Sequence, residues 1–401
     1  MQQMTDMKKE QAMTPILRQA FRPMFLFGAV FSIIAMALWG LALAGVIRLN
    51  PYANIMFWHQ HEMLFGFVAA IIVGFLLTAV QNWTGQRATH GKMLLVLSFV
   101  WLAGRLLMLF GGGLPAWLVV TVDLLFLPLA ALLFARIVVM AGNNRNLFFV
   151  PVLVLLTLAN VVMHAGVQFG QFAWVQYGSL SAVLVVTLIM AIVSGRVLPM
   201  FTANGTQTPK VPPLLWLDRT ALGSLWLLVV LHLFLLTGYL PGWFMAALFG
   251  LSAVTTAWRL LRVKFWITWR VPLLWSLHAA VAFIPLGLAL FALRHAGFAI
   301  GQSAAVHALT AGAMGVMILS MMARVSLGHT GRMLKPKTIM SVAFVLIIGA
   351  ALIRVLAGWA IPGATMGWYL YATAGWVIAY SLYVIVYTPI LIKPREDGRP
   401  G

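Results

Sequence analysis

Apolar runs long enough to cross a lipid bilayer recur along this chain from end to end. An α-helix rises 1.5 Å per residue, so about 20 apolar residues cover the roughly 30 Å of hydrocarbon in a membrane. Only 8% of the 401 residues are charged and 63% are hydrophobic, whereas a soluble protein is about one-quarter charged. The sequence therefore predicts an all-α polytopic membrane protein with twelve transmembrane helices, at residues 25–47, 57–80, 92–111, 114–140, 147–168, 173–198, 218–239, 242–262, 271–295, 299–325, 337–359 and 365–392.

These helices are expected to form one transmembrane domain, residues 25–392. A cytoplasmic N-terminal segment, 1–24, precedes it and a cytoplasmic tail, 393–401, follows. The N-terminal segment is polar and basic and has no small-residue cleavage site, so we do not expect a signal peptide. The longest loop, 196–219, divides the helices six and six, which is typical of two-halved transporters.

The basic residues are distributed unequally across the predicted membrane. The outer loops hold only Arg48 and Arg294, and Arg105 and Arg354 lie within spans, so the other 22 of the 26 lysines and arginines face the side of the N-terminus. Such an excess marks the cytoplasmic side. The net charge of +19 therefore indicates contact with anionic lipid and not with nucleic acid.

A repeat of four spans fits the chain better than the division into halves. The second, sixth and tenth spans each stop at a turn rich in Thr and Gly, and a shift of 246 residues superposes the second span on the tenth. The shift pairs four identical residues: His61 with His307, Gly66 with Gly312, Thr84 with Thr330 and Gly85 with Gly331. We therefore expect three four-helix units around a pseudo-threefold axis, as in haem–copper oxidase catalytic subunits.

Small residues form stripes on the second and tenth spans, at Gly66, Ala70 and Gly74 and at Ala308, Gly312 and Gly315. Such stripes allow a neighbouring helix to approach the backbone closely. A planar cofactor could use the same space, and the sequence leaves both interpretations open.

Ionisable residues within the spans are few, and they limit the chemistry. No cysteine is present, which excludes disulfides, thiolate metal sites and iron–sulfur clusters. Only two acids lie within spans, Glu62 and Asp123. Asp123 and Arg105 lie at similar depth on consecutive helices, which predicts a structural ion pair. Glu62 has two possible roles: its charge interacts favourably with the helix dipole, or its carboxylate accepts the N–H of a ligand histidine.

Six histidines within or beside the spans point to metal binding, because imidazole is the commonest ligand of haem iron and copper in proteins. They are His59, His61, His232, His278, His307 and His329. His61 and His307 lie at one level near the outer side, as two axial ligands of one haem would. Residues two apart on a helix point about 200° apart, so His59 is expected to serve a second metal centre or to lie in the preceding loop. His164 lies near the outer end of the fifth span, where polar residues are tolerated.

Several long blocks of the sequence resemble the signature motifs of the NnrS family of bacterial inner-membrane proteins. They are "FRPMFLFGAVF" (21–31), "WHQHEMLFGFVAAIIVGFLLTAVQNWTG" (58–85), "WLAGR" (101–105), "GRVLPMFTANG" (195–205), "PLLWSLH" (272–278) and "HALTAGAMGVMILSMMARVSLGHTGR" (307–332). The resemblance implies a membrane protein with haem, of the b type, and copper, associated with denitrification and with protection against nitric oxide. His59, His61, His278, His307 and His329 lie in the blocks, whereas His164 and His232 lie outside them.

The expected function is therefore a haem and copper protein that binds nitric oxide and removes or transforms it, with reduction as one route. The sequence identifies no electron donor and no proton pathway. Two alternatives stay open: a twelve-span transporter that uses histidines as coordinating groups, and a haem-based nitric oxide sensor without turnover.

Overall fold

A computed structural model of the protein describes residues 11–360 and 362–399, with the side chains of all of these except 357–360 and 362. Within these residues the chain is all-α and has no strand, as the sequence predicts. Twelve helices are long and apolar enough to cross a membrane: α1 (Phe21–Leu43), α2 (Ile55–Thr84), α3 (Gly91–Gly113), α4 (Ala116–Met140), α5 (Asn144–Gln168), α6 (Phe172–Thr206), α7 (Leu215–Leu233), α8 (Gly242–Ile267), α9 (Pro272–His295), α10 (Gln302–His329), α11 (Thr338–Leu356) and α12 (Thr365–Ile392).

The predicted number and order of the spans are confirmed, and the largest difference in a boundary concerns α6. This helix continues to Thr206, where the sequence predicts an end at residue 198, and Pro199 lies inside it. Proline removes one backbone hydrogen bond from a helix, and membrane helices tolerate it where neighbouring groups satisfy the freed carbonyl. The connection between α6 and α7 is consequently confined to residues 207–214.

The chain divides into two compact units. Unit 1 consists of Met1–Ser179, Met322–Lys335 and Tyr380–Gly401, and unit 2 of Leu180–Met321 and Pro336–Ala379. Unit 1 therefore contains the first five membrane helices and parts of α6, α10 and α12. Unit 2 contains α7, α8, α9 and α11 with the remainder of those three.

Large apolar side chains cover much of the exposed surface. Examples are Phe99 and Leu132 in unit 1 and Val254 and Val345 in unit 2, each more than 60% exposed. Exposed apolar area of this extent is stable where it contacts lipid, because hydrocarbon and not water is then the solvent. The distribution supports a membrane protein.

Helices α2 and α10 share an uncommon local structure. Each begins with a short α-helical segment that ends at a histidine, Ile55–His61 in α2 and Gln302–His307 in α10. A π-helical segment follows in each, Glu62–Val68 and Ala308–Gly315. Such wide turns are rare in proteins and occur frequently at functional sites.

The repeat of 246 residues is therefore confirmed in the local structure of these two helices. Gly85 and Gly331 both follow the helix end with positive φ angles, 70° and 76°, a conformation that glycine adopts without steric cost. Thr84 and Thr330 each donate a hydrogen bond of 2.6 Å to the carbonyl four residues earlier. The pseudo-threefold arrangement stays a prediction, because α6 continues in helical conformation through its equivalent glycine.

The small residues of α2 and α10 serve helix packing. A Cβ atom on Gly66 would lie 2.7 Å from the ring of Phe31, and one on Gly312 would overlap the ring of Phe283. Aromatic side chains therefore occupy the space beside both glycines. At these two positions the structure supports close helix packing and leaves no space for a planar cofactor.

Candidate metal centre

Six buried polar side chains meet in unit 1 between α2, α3, α4 and α5, and we call them the polar cluster. Each is at most 4% exposed. The members are His61 and Glu62 on α2, Arg105 on α3, Asp123 on α4, and Asn160 and His164 on α5.

Local helix geometry explains why these residues converge. Asn160 and His164 are four residues apart and so share one face of α5. Trp101 and Arg105 share one face of α3 in the same way. The indole Nε1 of Trp101 donates to the carbonyl oxygen of Gly66, within the π-helical segment, at 2.8 Å. This bond holds α3 against α2 and places the guanidinium of Arg105 beside the start of that segment.

Asp123 is the central acceptor of the cluster. Its Oδ2 atom accepts hydrogen bonds from Nε2 of His61 at 3.0 Å, Nδ2 of Asn160 at 2.8 Å and Nε2 of His164 at 3.1 Å. Its Oδ1 atom accepts from Nη2 of Arg105. The ion pair predicted between Arg105 and Asp123 is therefore confirmed, and it belongs to a larger network.

Glu62 is the second anion of the cluster. Its Oε1 atom accepts from Nη1 of Arg105 and from Nδ1 of His61, the latter at 2.9 Å. Because it receives the N–H of a predicted ligand, the second of the two roles expected for Glu62 is supported. Its Oε2 atom is buried and has no hydrogen-bond partner in the described structure.

The charges of the cluster balance in this arrangement. Nδ1 of His61 faces a carboxylate oxygen, and its Nε2 faces Asp123 and, at 2.9 Å, Oδ1 of Asn160. A carboxylate oxygen faces each ring nitrogen, and an imidazolium ring donates to both at once. His61 and Arg105 then offset the two carboxylates. Balance matters here because an unpaired charge removed from water costs several kcal/mol, about 3–5 when one partner of a buried pair is lost.

Three ligand atoms of the cluster are close enough together to hold one metal ion. Ligand atoms of His61, Asp123 and His164 lie within 4.8 Å of one another, the one such group of three among the described residues. Two imidazoles and a carboxylate suit copper, zinc or iron. A metal binds deprotonated ligands, so it would replace the protons on the two Nε2 atoms. Nδ1 of His164 is buried without a partner and can carry the displaced proton of that ring.

The surroundings of His61 do not fit a haem. Its ring stacks against Phe57, with centroids 5.6 Å apart and planes at 18°, and lies 5.1 Å from Phe65 and 5.2 Å from His164. Both ring nitrogens face oxygens of the cluster. An axial ligand needs a nitrogen that faces the flat porphyrin, and the neighbours of His61 take that space. They fit a small cation.

A tyrosine outside the membrane helices closes one end of the cluster. The ring of Tyr52 lies 5.6 Å from that of His164, and Nε2 of Gln168 donates to its hydroxyl oxygen at 2.7 Å. Burial, with a further contribution from the charge of Asp123, raises the pKa of Tyr52. The phenol is therefore neutral at physiological pH and adds no charge beside the metal ligands.

The other predicted ligands do not join the cluster. The ring of His59 stacks on Trp39, with centroids 4.3 Å apart, which confirms that His59 and His61 point in different directions. His329 belongs to unit 1 as well, and its ring lies 5.5 Å from that of Phe21.

Three predicted ligands lie in unit 2, each with a different partner. Nε2 of His278 lies 2.9 Å from the hydroxyl of Thr202, while its Nδ1 is buried without a partner in the described structure. Nδ1 of His232 donates to the carbonyl of Leu228 at 2.9 Å. Nδ1 of His307 donates to the carbonyl of Ser303 at 2.7 Å. A haem at His307 stays a prediction, whereas the contacts of His61 argue against a haem shared by the two histidines.

Asn160 and His164 are members of the cluster that the sequence did not predict. Their spacing of four residues on an apolar helix was a usable signal, since it places two polar groups on one face. The outer position of His164 in its span concealed this role, because polar residues are common there without a function.

A comparison with models of protein families gives a match over nearly the whole chain. The model described as "NnrS protein" matches residues 15–395. The chain belongs to the NnrS family. All six residues of the polar cluster lie within the match. Membership of the NnrS family indicates a role in the nitric oxide response, and the family is associated with metals, in agreement with the donor set of the cluster. No curated protein matches the sequence.

Proposed function

We propose that this NnrS protein holds a copper ion at His61, Asp123 and His164 and uses it to bind and remove nitric oxide. The convergence of three ligand atoms within 4.8 Å at a fully buried position carries the proposal. Copper is the metal we favour, because imidazole suits it and this chain has no thiolate to compete.

Nitric oxide suits a site at this position. It is a small neutral molecule that partitions into hydrocarbon, so it needs no charged channel to reach a cluster between membrane helices. The cluster lies among helices whose outer faces are apolar. A charged substrate would pay the cost of leaving water before it reached the same place.

The residues of the chain have separate roles in this proposal. His61, His164 and Asp123 hold the metal, and Asn160 orients Asp123 through the Nδ2 of its amide. Phe57 and Phe65 flank the ring of His61 and exclude water from it. The bound copper would supply an open coordination position and one-electron chemistry. Glu62 accepts the hydrogen bond from Nδ1 of His61 and so orients that ring.

The haem that the resemblance implies fits His307 better than His61. The bond from Nδ1 of His307 to the carbonyl of Ser303 orients the ring, and such a bond is common among metal-bound histidines. The π-helical segment that follows His307 adds a feature frequent at functional sites. We therefore propose His307 as a haem ligand, and we place the protein in the bacterial inner membrane with both termini in the cytoplasm.

Metal analysis of the purified protein tests the proposal. We expect about one copper per chain in the wild type, at least a tenfold loss in His61→Ala and in His164→Ala, and no loss in His90→Ala, a control outside the spans. The haem absorption should be lost in His307→Ala and retained in His295→Ala. Equal copper in the wild type and both cluster variants would refute the copper assignment.

Consumption of nitric oxide under anaerobic conditions, with an added reductant, tests the activity. The wild type should consume the gas and His164→Ala should not. Binding of nitric oxide without consumption would favour a sensor, and a purified protein without metal would favour a transporter.

A further inference from the structure

Arg105 is placed to control which ion the polar cluster accepts. Its side chain is 3% exposed, and its guanidinium donates through Nη2 to Asp123, a proposed metal ligand, and through Nη1 to the neighbouring Glu62. The two carboxylate atoms that contact Arg105 are Oδ1 and Oε1, whereas Oδ2 of Asp123 faces both histidines. The arginine therefore contacts the oxygen of Asp123 that does not face the two histidines. Both cations can be present together.

The fixed charges around the metal position sum to minus one. Histidines that bind a metal are neutral, so Glu62, Asp123 and Arg105 are the charged residues that remain. Asn160 is uncharged, and the phenol of Tyr52 is neutral because burial raises its pKa. The ion pairs of the cluster in the described structure join only its own members. A monovalent cation brings the net charge of the site to zero, whereas a divalent cation leaves a net charge of plus one.

An excess charge is expensive in this environment because every member of the cluster is buried. Two unit charges a few ångströms apart interact strongly when they are removed from water. The net effect after relaxation is smaller, and we take it as on the order of 100-fold in binding.

From this balance we propose that Arg105 makes the centre selective for monovalent copper over divalent ions. The inference rests on the proposed copper site and adds the residue that sets its specificity. Arg105 acts on the ion through Asp123 and Glu62, which makes it a positioning residue without contact to the metal. A preference for the monovalent state also keeps the copper reduced, the state in which it can donate an electron.

A series of charge variants tests the inference by competition between ions. The full-length protein in detergent is titrated anaerobically with Cu⁺ against bicinchoninate as a competing chelator, and separately with Zn²⁺ as the divalent probe. Each titration gives a dissociation constant, and the ratio of the two constants is the selectivity.

The expected ratios follow the net charge of the site. The wild type, at minus one, should prefer Cu⁺ over Zn²⁺. Arg105→Gln, at minus two, should shift the ratio toward Zn²⁺ by about 100-fold. Glu62→Gln, at zero, should weaken both ions. The double variant Arg105→Gln with Glu62→Gln returns to minus one and should recover the wild-type preference.

Controls separate charge from structure. Arg105→Lys keeps the positive charge and should keep the preference. Arg22→Gln removes another buried arginine of unit 1, whose Nη1 donates only to the carbonyls of Leu391 and Lys393, and should leave the ratio unchanged. The double variant remains informative where Arg105→Gln does not fold, because its charges are balanced.

The titrations distinguish a failure of the proposed copper site from a failure of the role proposed for Arg105. If the wild type binds both ions no better than a variant that lacks His61 and His164, the copper site itself is wrong. If binding depends on both histidines and the ratio is the same in the wild type, Arg105→Gln and the double variant, the role of Arg105 alone is wrong.

Discussion

The substitution Asp123→Asn removes the anion at the centre of the polar cluster while it keeps the size of the side chain. Asp123 accepts from Arg105, His61, Asn160 and His164 and is 4% exposed. In this variant the positive charges of His61 and Arg105 are offset by only one carboxylate, that of Glu62. Loss of one partner from a buried charge pair costs about 3–5 kcal/mol, and we expect a loss of stability in that range.

Asp218→Asn is the matched control for this prediction. Asp218 accepts from Nε of Arg259 at 2.8 Å, but its side chain is 33% exposed, so water replaces much of the lost interaction and the expected cost is about 1 kcal/mol or less. Both variants are unfolded reversibly in mixed micelles with increasing SDS, with tryptophan fluorescence as the signal. Adding Arg105→Gln to Asp123→Asn removes one charge of each sign and should recover most of the loss. Equal stability of the two single variants would refute the charge balance of the polar cluster.

Three further predictions concern the orientation, the two neighbouring histidines and the helix packing. A reporter that fluoresces only in the cytoplasm should be bright when fused after Thr208 or Gly331 and dark after Gly112 or Pro241; a bright signal at Gly112 would contradict the proposed orientation. His59→Ala should keep its copper, since His59 stacks on Trp39 away from the cluster, whereas His61→Ala should lose it; copper loss in both by metal analysis would place His59 at the site. Gly312→Leu should reduce the yield of folded protein in size-exclusion chromatography, because a Cβ atom there already overlaps the ring of Phe283, whereas Gly349→Leu, with no atom near its Cβ position, should not.

The membrane helices could be predicted from the sequence because hydrocarbon imposes one strong requirement, a long apolar segment. The requirement weakens at the helix ends, where polar residues are tolerated. That is why the predicted end of α6 was wrong: the Thr, Asn and Gly residues after Pro199 are typical of a turn, and yet they continue the helix to Thr206.

The candidate site could be predicted only in part. Arg105 and Asp123 were paired correctly because they lie at equal depth on consecutive helices, and His61 and Glu62 were recognised as out of place in an apolar span. His164 and Asn160 were missed, since depth along a helix does not give the rotation of α5 against α4. The rotation depends on side-chain packing between helices, which a single sequence does not encode locally.

Copper X-ray absorption of the purified protein tests the proposed copper site, because it counts the imidazoles bound to the metal. We expect two imidazole ligands and one oxygen ligand in the wild type, one imidazole in His164→Ala, and the wild-type pattern in His278→Ala. An unchanged number of imidazoles in His164→Ala, or a loss of one in His278→Ala, would show that the copper lies outside the polar cluster.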